Sequence, residues 1–199
     1  MKRDFADALT LYSSNGRRKY LNPAERKKAL AAAEALPARE ALFIRTLAWS
    51  GARVSEVLAL TPSSFQVETS IVAIRTLKRR RLSAVREVPL PPSLMRCLDR
   101  QFHLSSGRAA PHLNARLWPW HRSTAWRVVK GVMTRCEIAG AQACPRGLRH
   151  GFGVGTLRAG VPLNLIQRWM GHSRIATTAI YAGACGPEEQ EIAARFWRA

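Results

Sequence analysis

Acidic residues are scarce in this chain: 13 aspartates and glutamates stand against 32 lysines and arginines, for a formal net charge of +19 at pH 7. Between Arg100 and Pro187 the single acid is Glu137. Phosphoryl transfer run on two divalent cations needs clustered carboxylates to hold them, so the shortage argues against metal-dependent nuclease or transposase chemistry. No metal and no other cofactor is expected. Cysteine is sparse as well. Cys97, Cys136, Cys144 and Cys185 form no C-x-x-C pair and have no histidines at zinc-finger spacing, which leaves reduced thiols of a cytosolic protein. No hydrophobic run is long enough to span a bilayer, and the opening residues, MKRDFADALT, contain no apolar signal core.

What the chain does contain is enough apolar material, 47% of 199 residues, to bury one globular core. Its positive charge raises a potential that attracts a polyanion. Basic membrane binders gather their charge on one amphipathic helix or tail. Here arginines run from Arg3 to Arg198, so nucleic acid is the favoured partner and a membrane is not. A soluble, cytoplasmic, nucleoid-associated protein is expected.

Residues 1–20 are polar and basic and read as a flexible arm; residues 21–199 read as one domain. Asn22, Pro23 and Glu25 make a capping box with proline in the first helical turn, opening a helix to about residue 36. Apolar periodicity predicts further helices over 38–49, 53–60, 92–103, 122–138, 145–160, 162–170, 174–182 and 187–198. The last of these carries Ile192, Phe196 and Trp197 on one face. Residues 65–68, 71–74 and 86–90 read as three short strands, the last two flanking a basic loop, and 105–121 reads as a loop. The expected fold is mainly α (α+β), a helical domain with a small three-stranded antiparallel sheet.

Three segments carry candidate chemistry. In Ser50-Gly51-Ala52-Arg53-Val54-Ser55-Glu56, the carboxylate lies three residues beyond Arg53 on the same helical face, where it can hold the guanidinium in place; a surface ion pair of little energetic worth has the same spacing. Pro145-Arg146-Gly147-Leu148-Arg149-His150 opens a helix with Arg146 and Arg149 on one face, which suits a phosphate cradle, although solvated basic faces are common in so basic a chain. In the third segment a helix stops at Gly171-His172, Ser173 can cap the next helix, and Tyr181 rides that helix. Tyrosine, with a pKa of about 10, attacks phosphate poorly unless cations surround it, and a lone tyrosine on an amphipathic helix is ordinarily part of a core.

Taken together, in order and spacing, the segments resemble the tyrosine recombinase, or phage integrase, family over roughly residues 20–199. The family's signatures are an arginine in a T-G-x-R-x-x-E-like stretch, an H-x-x-R-H stretch, and a G-H pair followed nine residues later by a nucleophilic tyrosine. Here they read S-G-A-R-V-S-E, R-G-L-R-H and G-H-S-R-I-A-T-T-A-I-Y. The resemblance implies an integrase-like DNA breaking-rejoining fold with Tyr181 as nucleophile. Arg53 and Arg149 would neutralise the scissile phosphate, His172 and Arg146 would be further donors, and Glu56 and His150 would support them. The family also uses a lysine in a β-hairpin. Lys78, the only lysine between Lys28 and Lys130, falls between the second and third predicted strands and takes the role of general acid. Its neighbours Arg79, Arg80 and Arg81 are expected to contact DNA phosphates without reading sequence.

Two departures bear on these expectations. Arg146 stands where the family usually has histidine; arginine donates hydrogen bonds but takes no proton near neutral pH, so proton traffic would fall to His172. Many relatives carry an amino-terminal helical domain, whereas only residues 1–20 precede the similarity here, as in compact single-domain members or a catalytic fragment. The implied activity is site-specific recombination of double-stranded DNA (integration, excision or inversion) through a 3′-phosphotyrosyl link. Four protomers would act on two DNA sites, with a monomer in the absence of DNA as an option. The segment 187–199 would either dock on a neighbour or pack on its own domain. A type IB topoisomerase-like activity and a catalytically impaired, DNA-binding relic are the alternatives.

Overall fold

In the computed structural model, residues 10–76, 84–105, 114–183, 190, 193–194 and 196–197 are described. The chain enters through a tight turn in which the Lys19 amide donates to the Leu11 carbonyl at 2.8 Å, and Leu11, Tyr20 and Leu21 are all buried. Leu11, Lys19 and Tyr20 are thus buried within the stretch read as an arm, while Thr10 and residues 14–17 are exposed and residues 1–9 lie outside the described residues. Leu11 and Tyr20 sit in an otherwise polar stretch but have a core to join, and that burial offsets the chain entropy lost on ordering it.

Helix α1 (Pro23–Glu34) opens with the expected capping box: the Glu25 amide donates to Asn22 Oδ1 at 2.8 Å and the Asn22 amide to Glu25 Oε2 at 2.9 Å. Helix α2 (Ala38–Ser50) is buried along most of its length and ends at Gly51 in the left-handed region, φ 61°. Helix α3 (Val54–Val57) is a single turn, shorter than the 53–60 expected. Strands β1 (Phe65–Gln66), β2 (Ile71–Arg75) and β3 (Val85–Pro89) form an antiparallel sheet in that order. Val72 lies opposite Val88 and Ile74 opposite Arg86, and these four side chains are the buried ones of the two longer strands. Helices α4 (Pro92–Phe102), α5 (Arg122–Arg135), α6 (Pro145–Arg158) and α7 (Leu163–Met170) follow. The architecture is the mainly helical one expected, with its small three-stranded sheet.

The last described element differs from expectation. Helix α8 (Ala176–Ala179) has only four residues and tightens into a 3-10 turn, Ile180–Gly183, so Tyr181 lies beyond the α-helix. The β-branched Thr177 and Thr178 lower helix propensity there. No side chain caps α8; Ser173, expected as its cap, is exposed. Of the helix expected over 187–198, Gln190, Ala193, Ala194, Phe196 and Trp197 are helical; Ile192 and the rest lie outside the described residues. Phe196 and Trp197 are 82% and 71% exposed, so neither packs on the domain. Among the described residues, no helix is long and apolar enough to cross a membrane.

Two hydrophobic clusters hold these elements. The larger gathers α1, α2, the sheet, α4 and α5 around Phe43, Leu47, Val72, Leu94 and Met133. Trp118, from the stretch expected as loop, plugs it, edge-on to Phe43 and Phe102 with ring centroids 5.5 and 5.3 Å away. Its indole N–H donates to the Arg39 carbonyl at 2.8 Å. The smaller cluster comprises Leu11, Tyr20, Phe152, Val154, Ile166, Met170 and Tyr181. Helix α6 faces both, with Leu148 in the larger and Phe152 and Val154 in the smaller.

Candidate active site

Arg53 is the residue just ahead of α3. Its extended backbone directs the amide to Glu56 Oε2 at 2.9 Å, while Nη1 donates to Glu56 Oε1, also at 2.9 Å. The Glu56 side chain is wholly buried. Burial alone would push its carboxyl up, but Arg86 and Arg53 outweigh that and hold it below the usual carboxylate range. The second guanidinium on it comes from the sheet: Arg86 Nη2 donates to Glu56 Oε2 at 2.7 Å.

Arg149 projects from the first turns of α6 and is buried. Its Nη1 donates to the Gly51 carbonyl at the end of α2, and its Nη2 to the Met170 carbonyl at the end of α7, at 2.9 Å. Carbonyls at helix C-termini carry partial negative charge and lack intrahelical partners, so they suit a cation. Among the described residues no carboxylate lies within ion-pair distance of Arg149. Burial first, then Arg53, push this guanidinium down to about 10, so it stays charged at neutral pH. Arg53 and Arg86 thus share the Glu56 carboxylate, Arg149 lies near them on backbone carbonyls, and the excess positive charge favours an anion.

Gly171 ends α7 in the left-handed region and delivers His172, whose Nδ1 lies 2.9 Å from Thr178 Oγ1. Its ring lies nearly parallel to that of Tyr181, with centroids 6.2 Å apart and 16° between planes. Burial and the surrounding arginines push His172 down to about 3, so it is neutral at pH 7 without a ligand. Tyr181 is 1% exposed, with its hydroxyl 3.3 Å from His150 Nδ1. Burial pushes the phenol up to about 12 against the pull of Arg149 and Arg53. His150, buried beside Arg149 and Arg146, is pushed down to about 4 and is also neutral. The α6 backbone reaches the nucleophile candidate directly: a Cβ on Gly153 would lie 2.4 Å from the Tyr181 ring.

The structure therefore gathers Arg53, Glu56, Arg149, His150, His172 and Tyr181 in one place. Arg146 does not share the inward face of Arg149: it is exposed in the first turn of α6, and its field helps to lower His150. Lys78, Arg79, Arg80 and Arg81 lie outside the described residues. Two members of the site escape a sequence reading. Thr178, which holds His172, carries no signal beyond its type. Arg86 does carry one, because β3 alternates and Arg86 is in phase with Val88 and Leu90, which are buried. A charged residue on the inward face of a strand needs a buried partner.

The site is a cluster of guanidinium groups at the ends of α2 and α7 and the start of α6, with a tyrosine beside it. The phage integrase family matches residues 19–185, and the chain belongs to that family. It is 29% identical over 154 residues to the tyrosine recombinase XerD of Mycobacterium tuberculosis, a match covering 73% of this chain and 48% of the relative. The chain spans about half the length of the curated relatives it matches. Among solved structures it superposes on the XerA recombinase with a TM-score of 0.73 at 26% identity, covering 89% of this chain and 64% of that one. It also superposes on the XerH site-specific recombinase bound to difH substrate, with a TM-score of 0.70, 19% identity, and coverage of 94% and 59%.

Proposed function

We propose that this chain cleaves and rejoins double-stranded DNA at specific sites through a 3′-phosphotyrosyl link to Tyr181. The observation that carries the reading is the convergence of Arg53, Arg149 and His172 on the region of Tyr181, by way of helix ends remote in sequence. The Tyr181 oxygen attacks the scissile phosphorus, the bond to the 5′-oxygen breaks, and the leaving oxygen takes a proton from Lys78 as general acid. Arg53 and Arg149 neutralise charge growing on the non-bridging oxygens, with Arg146 as a further donor at the rim. His172, with Nδ1 on Thr178, keeps Nε2 to accept the tyrosine proton, its basicity raised by the bound anion, and once protonated donates a hydrogen bond from it to a phosphate oxygen. The phosphotyrosine retains the bond energy, so rejoining needs no nucleotide.

In the structure the nucleophile is buried and its pKa is high, so attack requires the Ile180–Gly183 turn to move. The relative bound to difH supports DNA as the partner here. Four protomers on two sites would supply strand exchange, and the exposed Phe196 and Trp197 suit docking on a neighbour. A DNA-binding relic is the second reading, favoured by Arg146 at the family's histidine position.

Covalent trapping separates the two. The protein and its Tyr181→Phe variant are mixed in EDTA with nicked duplexes tiled across the DNA flanking the gene. The expected result is an adduct mapped by mass spectrometry to Tyr181 and absent from the variant. Binding without any adduct, by both proteins, establishes the relic.

A further inference from the structure

Arg86 is the one buried arginine of the cluster that the chemistry above leaves without a part. Its side chain is 5% exposed, and three of its nitrogens are engaged in three directions. Nη2 donates to Glu56 Oε2 at 2.7 Å, Nη1 to Thr76 Oγ1 at 3.1 Å, and Nε to the Trp169 carbonyl at 2.7 Å. These contacts join three elements distant in sequence: the start of α3, the β2–β3 pair, and the last turn of α7. Gly171 fits the same knot. Its left-handed φ of 66° turns the chain from α7 to His172, and a Cβ there would come within 3.0 Å of Arg86 Nη1. The Trp169 carbonyl held by Arg86 neighbours the Met170 carbonyl held by Arg149.

We infer that Arg86 is the positioning residue of the phosphate site: it holds the Glu56 carboxylate in the orientation that aims Arg53, and fastens the end of α7 from which His172 emerges. It does not touch the phosphate. Glu56 Oε2 accepts from both Arg86 Nη2 and the Arg53 amide, which leaves Oε1 for the Arg53 guanidinium. Without Arg86 only the Arg53 amide holds Oε2, and Arg53 loses part of its fixed bearing. Charge alone does not reproduce this. A lysine keeps the cation but is a point donor on a flexible stem, and cannot serve a carboxylate, a hydroxyl and a carbonyl from a planar fork.

The inference rests on the recombinase reading, and its test keeps the two apart. The nicked duplex that traps Tyr181 is prepared with either the ordinary scissile phosphate or a methylphosphonate, which lacks the negative charge that Arg53 is there to neutralise. Adduct formation is timed for wild type, Arg53→Ala and Arg86→Lys, alongside thermal melts and DNA binding. Arg86→Lys is expected to melt cooperatively, to bind the duplex within about 3-fold of wild type, and to form the adduct ~10- to 100-fold more slowly on phosphate. On methylphosphonate that deficit shrinks to a few-fold, as it does for Arg53→Ala. Where Arg86→Lys does not melt cooperatively, Thr76→Val, which removes one neutral hydrogen bond, carries the same pair of measurements with a smaller deficit. A wild-type rate for the Arg86→Lys variant on phosphate, or equal deficits on both duplexes, overturns the positioning role. Failure of the wild type to form an adduct with any duplex overturns the recombinase reading, and the inference with it.

Discussion

Arg53 and Arg86 each hold Glu56, at 2.9 and 2.7 Å, and Arg149 is clasped by two helix ends. Tyr181 is treated differently. Its ring lies in an apolar cluster with Leu11, Tyr20, Phe152 and Ile166, and its hydroxyl faces a neutral histidine. The cationic half is assembled on the ends of α2, α3, α6 and α7 and on β3; α2, α3 and β3 are anchored in the larger core, α6 in both clusters and α7 in the smaller. The tyrosine half rests on a four-residue helix and a 3-10 turn at the edge of the smaller cluster. A preorganised cluster of donors acts at once when charge develops, because nothing has to reorient. A tyrosine kept neutral in an apolar pocket is inert until it is moved. Under the proposed function, this division would keep Tyr181 idle until its turn moves.

The contrast breaks most sharply at Tyr181. Tyr181→Phe keeps the ring that fills the pocket and removes only the hydroxyl, so folding and DNA binding should persist while the covalent adduct disappears entirely on denaturing gels. An adduct retained by the variant would assign the chemistry to another residue. Next in size is the cationic half. Arg149→Lys cannot serve the Gly51 and Met170 carbonyls and a phosphate together, and should slow adduct formation by ~10²- to 10³-fold in single-turnover assays.

Glu56→Gln tests whether the cluster is as rigid as it looks. The change leaves Arg53 and Arg86 without a counter-charge, one of them in the interior, and should cost about 3–5 kcal/mol in denaturant unfolding. Gly153→Ala probes the opposite half. The new methyl meets the Tyr181 ring, so stability should fall by about 1–3 kcal/mol, while nitration of Tyr181 by tetranitromethane, followed by peptide mass spectrometry, should speed up as the ring is displaced. Unchanged nitration would mean that α6 yields instead of the tyrosine.

The smallest effect is that of pH. His150 and His172 are held down to about 4 and about 3 by burial and nearby arginines, against about 6.5 in an unfolded chain. Above that unfolded value both states carry neutral imidazoles and the native contacts are intact. As pH falls below it, the unfolded chain takes up protons that the native one refuses, so stability declines until the folded values are reached. Thermal melts stepped from neutrality towards pH 4 should show the decline, and His150→Gln should flatten part of it.

Composition, periodicity and motif spacing were sufficient for the helical class, the antiparallel sheet, the α1 capping box and the pairing of Arg53 with Glu56, because each follows from residues within a few positions of one another. The motifs also brought Arg149, His172 and Tyr181 under one heading. Local pattern could not say how far each side chain is buried. Arg146 and Arg149 read alike as first-turn arginines, and only the seating of α6 between α2 and α7 puts one under the surface and leaves the other in solvent. Leu11 and Tyr20 in a basic lead-in, and Trp118 in a supposed loop, became core because packing elsewhere had left a place for them. The orientation of Tyr181 towards His150, and the meeting of Arg86, Glu56 and the Trp169 carbonyl, depend on contacts across 30 to 83 residues of chain. Their energies come from desolvation and from hydrogen-bond partners that the chain brings together only when it closes on itself, and no window of sequence contains them.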